Sequence, residues 1–153
     1  MNLRENIDFF LNEKRIAIAG VSHNSKKFGY MLFKTAREKG FETIPVNPKG
    51  GSIDGVECVK SVSGLDPQIN LLIATHKRDT KMVIEEAIER GIQNIWIQNG
   101  CETEEAVKFA REKGINLVSK QCFMMYASPA GIHKFHKTIA SWIGKYVKEA
   151  SAV

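Results

Sequence analysis

The sequence predicts an α/β protein: a doubly wound, mainly parallel sheet of five strands with helices on both faces. Three observations carry this. One punctuation recurs at Arg37-Glu38-Lys39-Gly40-Phe41, Glu89-Arg90-Gly91-Ile92 and Arg111-Glu112-Lys113-Gly114-Ile115. Each closes an amphipathic stretch with cations suited to the negative end of a helix dipole, then a glycine for the left-handed turn, then a strand. The strands are short apolar runs, as expected where helices cover both faces of a parallel sheet. Right-handed crossovers between such strands place a ligand crevice at the strand C-termini.

In chain order, Leu3, Ile7, Phe10 and Leu11 give a first helix, 2–12, one buried side. A strand at 16–19 runs into Gly20, and helical periodicity restarts at Phe28, giving a helix over 28–39. A second strand, 42–46, precedes a connection from Asn47 to Asn70 that is too long for a routine link and is made pliable by Gly50, Gly51 and Gly55. The third strand is 71–74. The helix at 80–90 has Asp79 as its expected N-cap and an apolar face of Val83, Ile84, Ala87 and Ile88. After a strand at 95–97, Thr103 is expected to cap a helix at 104–113, with Glu104 and Glu105 at its positive end. A last strand, 117–118, leads towards a C-terminal helix, 131–148, striped with Ile132, Phe135, Ile139, Trp142, Ile143 and Tyr146. That stripe reads as core or subunit interface, open to a second copy or to a ligase partner. The whole chain, 1–153, reads as one domain with these two helices as flanking elements.

The totals narrow the function. A net charge of +5 over 153 residues suits an anionic ligand but also an ordinary solvated surface. No basic run interleaves with aromatics, so no nucleic-acid surface is expected. Cys58, Cys101 and Cys122 form no CxxC pair, which argues against a zinc knuckle and for a reducing compartment. The N-terminus lacks a signal-peptide apolar core and nowhere do 18 apolar residues run together, so a cytoplasmic, membrane-free protein is expected.

Residues that follow the strands are the candidate site. After the first come Gly20, Val21 and Ser22, then a polar, basic connection with Asn24, Lys26 and Lys27 leading to Phe28. A dinucleotide enzyme places two more glycines in this turn so that its backbone can press on a pyrophosphate. This loop has kept one. After the second strand stand Asn47, Pro48 and Lys49, where an NAD-binding fold usually has an acid for the ribose hydroxyls. An acid would repel a phosphorylated ribose; Asn47 can hydrogen-bond without charge and Lys49 can neutralise a phosphate. Asn-Pro also starts ordinary turns, but with the Gly20 loop it favours coenzyme A, whose ribose carries a 3′-phosphate. Thr75, His76, Lys77 and Arg78 follow the third strand, and Gln98, Asn99 and Gly100 the fourth.

These residues resemble the small stand-alone CoA-binding proteins. Their Rossmann-like domain also forms the N-terminal part of the succinyl-CoA synthetase α-subunit and of ADP-forming acyl-CoA synthetases. The resemblance runs from about Lys14 to Met125 and rests on Gly20-Val21-Ser22, Pro45-Val46-Asn47-Pro48, Gly55, Trp96-Ile97-Gln98-Asn99-Gly100 and Cys122. It implies coenzyme A or acyl-CoA as ligand, touched by the loops at 20–22, 47–49, 75–78 and 98–100. The synthetases carry a second domain with a phosphorylated histidine, for which this chain has no room, and His76 is not given that role.

No catalytic constellation is legible. Ser22 lies in no G-x-S-x-G turn, and His133 and His136 lack an evident third metal ligand. Cys101 and Cys122 follow strand ends and could meet a pantetheine thiol, although an inert half-buried thiol fits as well. A non-catalytic or regulatory CoA-binding module is therefore the leading reading. The alternatives are an NAD(P)-binding enzyme or redox sensor, and an accessory subunit of an acyl-CoA synthetase.

Overall fold

The structure, a computed structural model, describes residues 2–127. The expected helix 131–148 and the His133–His136 pair lie outside the described residues. The order is α1 (Leu3–Asn12), β1 (Arg15–Ala19), α2 (Phe28–Glu38), β2 (Glu42–Val46), a small hairpin of β3 (Ser52–Ile53) and β4 (Val56–Glu57), and a 3₁₀ turn at Val62–Gly64. There follow β5 (Asn70–Ile73), α3 (Lys77–Arg90), β6 (Asn94–Gln98), α4 (Glu104–Glu112), β7 (Asn116–Gln121) and α5 (Phe123–Ala127). The main sheet has the order β2-β1-β5-β6-β7, and every pairing in it is parallel. This is the expected Rossmann-like doubly wound α/β fold.

Strand alternation divides the core in two. Ile16, Ile18, Leu72, Trp96 and Val118 point to one face, where α1, α2 and α5 cover them with Ile7, Phe10, Leu32, Phe33 and Phe123. Ala17, Ala19, Leu71, Ile73, Ile95, Ile97 and Leu117 point to the other, under Val83, Ile84 and Ala87 of α3 and Ala106 and Ala110 of α4. On the first face Phe123 meets Phe41 and Trp96 edge-on, with ring centroids 5.2 and 5.4 Å away, a geometry that suits the aromatic quadrupole.

Helix ends follow local chemistry. The Asn2 side chain accepts from Glu5 N–H at 2.9 Å while the Glu5 carboxylate accepts from Asn2 N–H at 2.8 Å, a reciprocal capping box on α1. Its C-terminal carbonyl at Phe10 is met by the buried Asn70 amide at 3.2 Å. Thr103 caps α4 as expected, accepting from Ala106 N–H at 3.1 Å. The glycines of the three recurring joints, Gly40, Gly91 and Gly114, all have positive φ.

Several boundaries differ from the sequence pattern. The helix α3 starts at Lys77, three residues earlier than its apolar face suggests, so its N-cap is His76 and Asp79 lies inside the first turn. The polar first turn carries no periodic signal. Asn70 pairs with Ile16 and so belongs to β5, which ends at Ile73 rather than Ala74. The strand β7 continues to Gln121 through a register shift, because Ser119 and Lys120 break the apolar run without ending the ladder. The short α5 is an addition to the expected elements. The long connection after β2 contains the hairpin, closed by Asp54 and Gly55 at φ 48° and 78°, the two left-handed positions of a tight turn. No helix among the described residues is long and apolar enough to cross a membrane.

Phe123 is fully buried, so Phe123→Ala should destabilise the fold by about 3–5 kcal/mol through the cavity it leaves. Met82→Ala, at a position 53% exposed, should stay within about 0.5 kcal/mol of the parent. Urea unfolding of both variants checks this; equal midpoints would contradict the assignment of the core.

Candidate functional site

The chain leaves β1 through α2 towards β2 and later returns to β5, which lies on the other side of β1. The connections α2 and α3 therefore depart to opposite faces of the sheet, and the C-terminal ends of β1 and β5 bound a crevice. Gly20 sits at its floor with φ +94°. A Cβ there would lie 2.6 Å from the Ala74 carbonyl carbon and 2.9 Å from Thr75 N, so the loops after β1 and β5 meet backbone to backbone.

A second glycine completes this contact. Gly29, in the first turn of α2, would drive a Cβ into the Gly20 carbonyl oxygen and to 3.0 Å from its carbon. It thus allows the close helix–strand approach that the last glycine of a dinucleotide loop provides. In the sequence this turn shows a single glycine because Gly29 lies nine positions on, inside a helix. Its signal was a glycine within an amphipathic helix, which costs stability unless close packing requires it.

Between these glycines the loop folds on itself. Ser22 Oγ accepts from Asn24 N–H, Asn24 Oδ1 accepts from Lys26 N–H and Asn24 O accepts from Lys27 N–H, each at 3.0 Å. Val21 is buried, and the Phe28 ring packs in the core, so at these two positions the backbone rather than the side chain borders the crevice. Among the described residues no side chain caps α2 at Lys27, and its first turn holds no acid. Such a terminus directs N–H groups and a partial positive charge at whatever lies before it.

Asn47 ties the second loop to the first. Its Nδ2 donates to Val21 O at 2.8 Å, and its Oδ1 accepts from Lys49 N–H at 2.8 Å. An aspartate could not make the first of these bonds, since it has no donor to offer a carbonyl. The structure thus supplies a reason for Asn47 beyond the avoidance of charge: this position must donate. His23 adds a second tie, its Nε2 lying 2.8 Å from Gly50 O. Pro48 and Lys49 are exposed, as are Lys26 and Lys27, and among the described residues no carboxylate pairs with any of the three lysines. The stem of Lys60 lies beside Gly50 and brings a further cation to this rim; the sequence gives no sign of it because Lys60 follows the far end of the hairpin. The hairpin is itself held to α2. Tyr30 Oη donates to Asp54 Oδ2 at 2.9 Å, and this hydrogen bond is the main cause that raises the phenol above its ordinary pKa.

At the ends of β5 and β6 the named residues divide. Thr75 Oγ1 lies 3.0 Å from Thr80 Oγ1, which donates to Cys101 O at 2.7 Å, joining the two strand ends. His76, Lys77 and Arg78 form the start of α3, which also lacks a side-chain cap but carries Asp79 in its first turn. Gln98 differs from the others. Its side chain is fully buried, with Nε2 3.2 Å from Cys122 Sγ and Oε1 accepting from Phe123 N–H at 3.0 Å. It orients the start of α5. Asn99 is partly exposed, and Gly100 N–H donates to Glu102 at 3.0 Å, which places an unforeseen carboxylate beside this strand end. Cys101 is fully buried and Cys122 nearly so. Among the described residues no group of three or more His, Cys, Asp or Glu could hold a metal.

Asn47→Asp turns a donor into an acceptor opposite the Val21 carbonyl and should cost about 1–3 kcal/mol of stability. Gly29→Ala, which must push α2 off the Gly20 loop, should cost a similar ~1–3 kcal/mol. Equilibrium urea unfolding reads both; a neutral Gly29→Ala would show that α2 can shift freely.

Known proteins share this architecture. A conserved hypothetical protein of Pyrococcus furiosus is similar at TM-score 0.71 and 33% identity, over 73% of this chain and 97% of that one. Cell-free ID.343 of Thermus thermophilus is similar at TM-score 0.73 and 26% identity, over 84% and 98% of the two chains. The uncharacterized protein YneT of Bacillus subtilis is 32% identical over 111 residues, 71% of this chain and 82% of that protein. The acetate–CoA ligase [ADP-forming] II subunit alpha of Pyrococcus furiosus is 27% identical over 146 residues. That match takes in 88% of this chain but only 32% of the subunit. Residues 14–128 match the family described as the CoA binding domain, and with that match over most of its length the chain belongs to this family.

Proposed function

We propose that the chain binds coenzyme A or an acyl-CoA in the β1–β5 crevice and acts by recognition, as a non-catalytic or regulatory module. The observation that carries this reading is the start of α2. Among the described residues it has no side-chain cap and no acid in its first turn, is pressed onto Gly20, and is flanked by two lysines without carboxylate partners. In this reading the pyrophosphate lies before α2, where backbone N–H groups and the helix dipole favour an anion. Ser22 Oγ still has its proton to donate, since its known contact uses the oxygen as acceptor. Lys26 and Lys27 supply charge. Asn47, Pro48 and Lys49 bracket the phosphorylated ribose and adenine, with Asn47 acting mainly by holding the two loops together. Thr75 to Arg78 form the opposite wall, and Asn99 and Gly100 border the pantetheine arm. Gln98 supports that wall from within.

A second reading has one specific observation in its favour. Most of this chain aligns with about a third of an ADP-forming acetate–CoA ligase α-subunit. An accessory subunit lending its CoA site to a separate ligase chain would share that likeness. Co-purification with an ATP-grasp partner would support it.

Thermal shift with CoA, acetyl-CoA, dephospho-CoA, NAD and NADP tests the main reading. A ligand at about 100 times its Kd should stabilise the native state by about 2.7 kcal/mol. Stabilisation by NAD with none by CoA would overturn it. Lys49→Glu should weaken CoA by about 1–2 kcal/mol, roughly 5–30-fold, and dephospho-CoA by less. Equal losses for both ligands would show that Lys49 does not read the 3′-phosphate.

A further inference from the structure

Lys60 and Gly50 stand on opposite sides of the β3–β4 hairpin in the sequence, yet the fold returns them to one place. Val59 pairs with Val46 as a parallel bridge, its N–H donating to Pro45 O and its carbonyl accepting from Asn47 N–H, each at 2.9 Å. Parallel pairing keeps the two stretches running the same way, so the next residue, Lys60, emerges at the level of Asn47. Its side chain then folds over the loop. A Cβ at Gly50 would lie 2.9 Å from Lys60 Cε and 3.5 Å from its Cγ. Gly50 is buried although Lys49 before it and Gly51 after it are exposed. Its carbonyl is the one that His23 Nε2 meets at 2.8 Å. The Lys60 stem is therefore laid on the loop that ties the ends of β1 and β2 together. Long cationic side chains do this when the stem packs and the charge stays in water.

The charge at the head of this stem has no counter-ion in the fold. Among the described residues no carboxylate pairs with Lys60, neither Asp54 nor Glu57 of the hairpin nor any other. A phosphomonoester carries about −1.5 to −2 charges at pH 7, more than one ammonium balances. A cation whose stem is already packed also loses less rotamer freedom on binding than a free one. We propose that Lys60 is a specificity-determining residue of the crevice: with Lys49 it forms a two-cation receptor, built over Gly50, for a phosphomonoester on the ligand's ribose. The inference rests on the CoA reading above and assigns the 3′-phosphate to a pair of lysines rather than to Lys49 alone. The hairpin thereby gains a task, because it is the element that carries Lys60 back to the strand end. Asn47 and His23 hold the loop on which that side chain rests.

Calorimetric titration of the full-length chain with CoA and with dephospho-CoA, which lacks only the 3′-phosphate, tests this. Lys60→Met keeps an unbranched stem over Gly50 and removes the charge. It should leave the melting temperature of the unliganded protein near that of the parent. It should weaken CoA about 5–30-fold and dephospho-CoA far less. Lys60→Arg, which keeps the charge, should bind CoA close to the parent. Because the contact is electrostatic and exposed, the CoA loss in Lys60→Met should shrink as salt is raised. Unchanged CoA affinity in Lys60→Met, or equal losses for the two ligands, would overturn the inference while CoA binding by the parent stands. A parent that binds neither ligand would instead overturn the crevice reading, and this inference with it.

Discussion

At Gly20 three stretches of backbone meet in a space with no room for a side chain. The end of β1 lies against Ala74 and Thr75 at the end of β5, and the first turn of α2 lies against the Gly20 carbonyl through Gly29. Close packing of this kind is stiff rather than compliant, because interior contacts have no slack to absorb a methyl group. The contact brings the start of α2, which among the described residues has no side-chain cap and no acid in its first turn, next to the floor of the cleft.

The rest of the site is arranged by hydrogen bonds among loops. Asn47 and His23 bind the loop after β2 to the loop after β1, and Thr75 and Thr80 bind the ends of β5 and β6. Most polar side chains named at the strand ends therefore have one partner within the protein. What faces outward is backbone N–H and lysine. This division suits recognition of a phosphate-rich ligand: the loops arrive preorganised, and less conformational entropy is lost when a charged group docks. It also separates Gln98 from its neighbours, since a fully buried amide engaged by Cys122 and Phe123 shapes the wall without facing the cleft.

The two faces of the sheet have different tasks. On one, α3 and α4 lie over small and aliphatic residues such as Ala17, Ala19 and Ile97. On the other, a cluster of edge-to-face rings joins α1 and α5 to the centre of the sheet through Trp96. Trp96 also donates its indole N–H to Gln121 O at 2.9 Å, linking that core to the end of β7. The aromatic face thereby holds α5 against the sheet beside the end of β7.

Much of this was legible in the residues alone. Alternating apolar runs, cationic helix ends and glycine joints determined the α/β order and the parallel sheet, because burial and left-handed turns leave local marks. Thr103 as a cap and the strand-end positions of Gly20, Asn47, Thr75 and Gly100 followed from the same logic. Only the tertiary structure decided what these residues do. Gly29 gains its meaning from a carbonyl nine residues earlier, Asn47 from a carbonyl at the end of the neighbouring strand, and Gln98 from a thiol and an amide just after the next strand. The polar first turn of α3 and the bulged end of β7 were hidden because hydrogen bonding continued where the apolar pattern stopped. Periodicity records which side of an element is buried, but partners far apart in sequence are chosen by the packing of the folded chain.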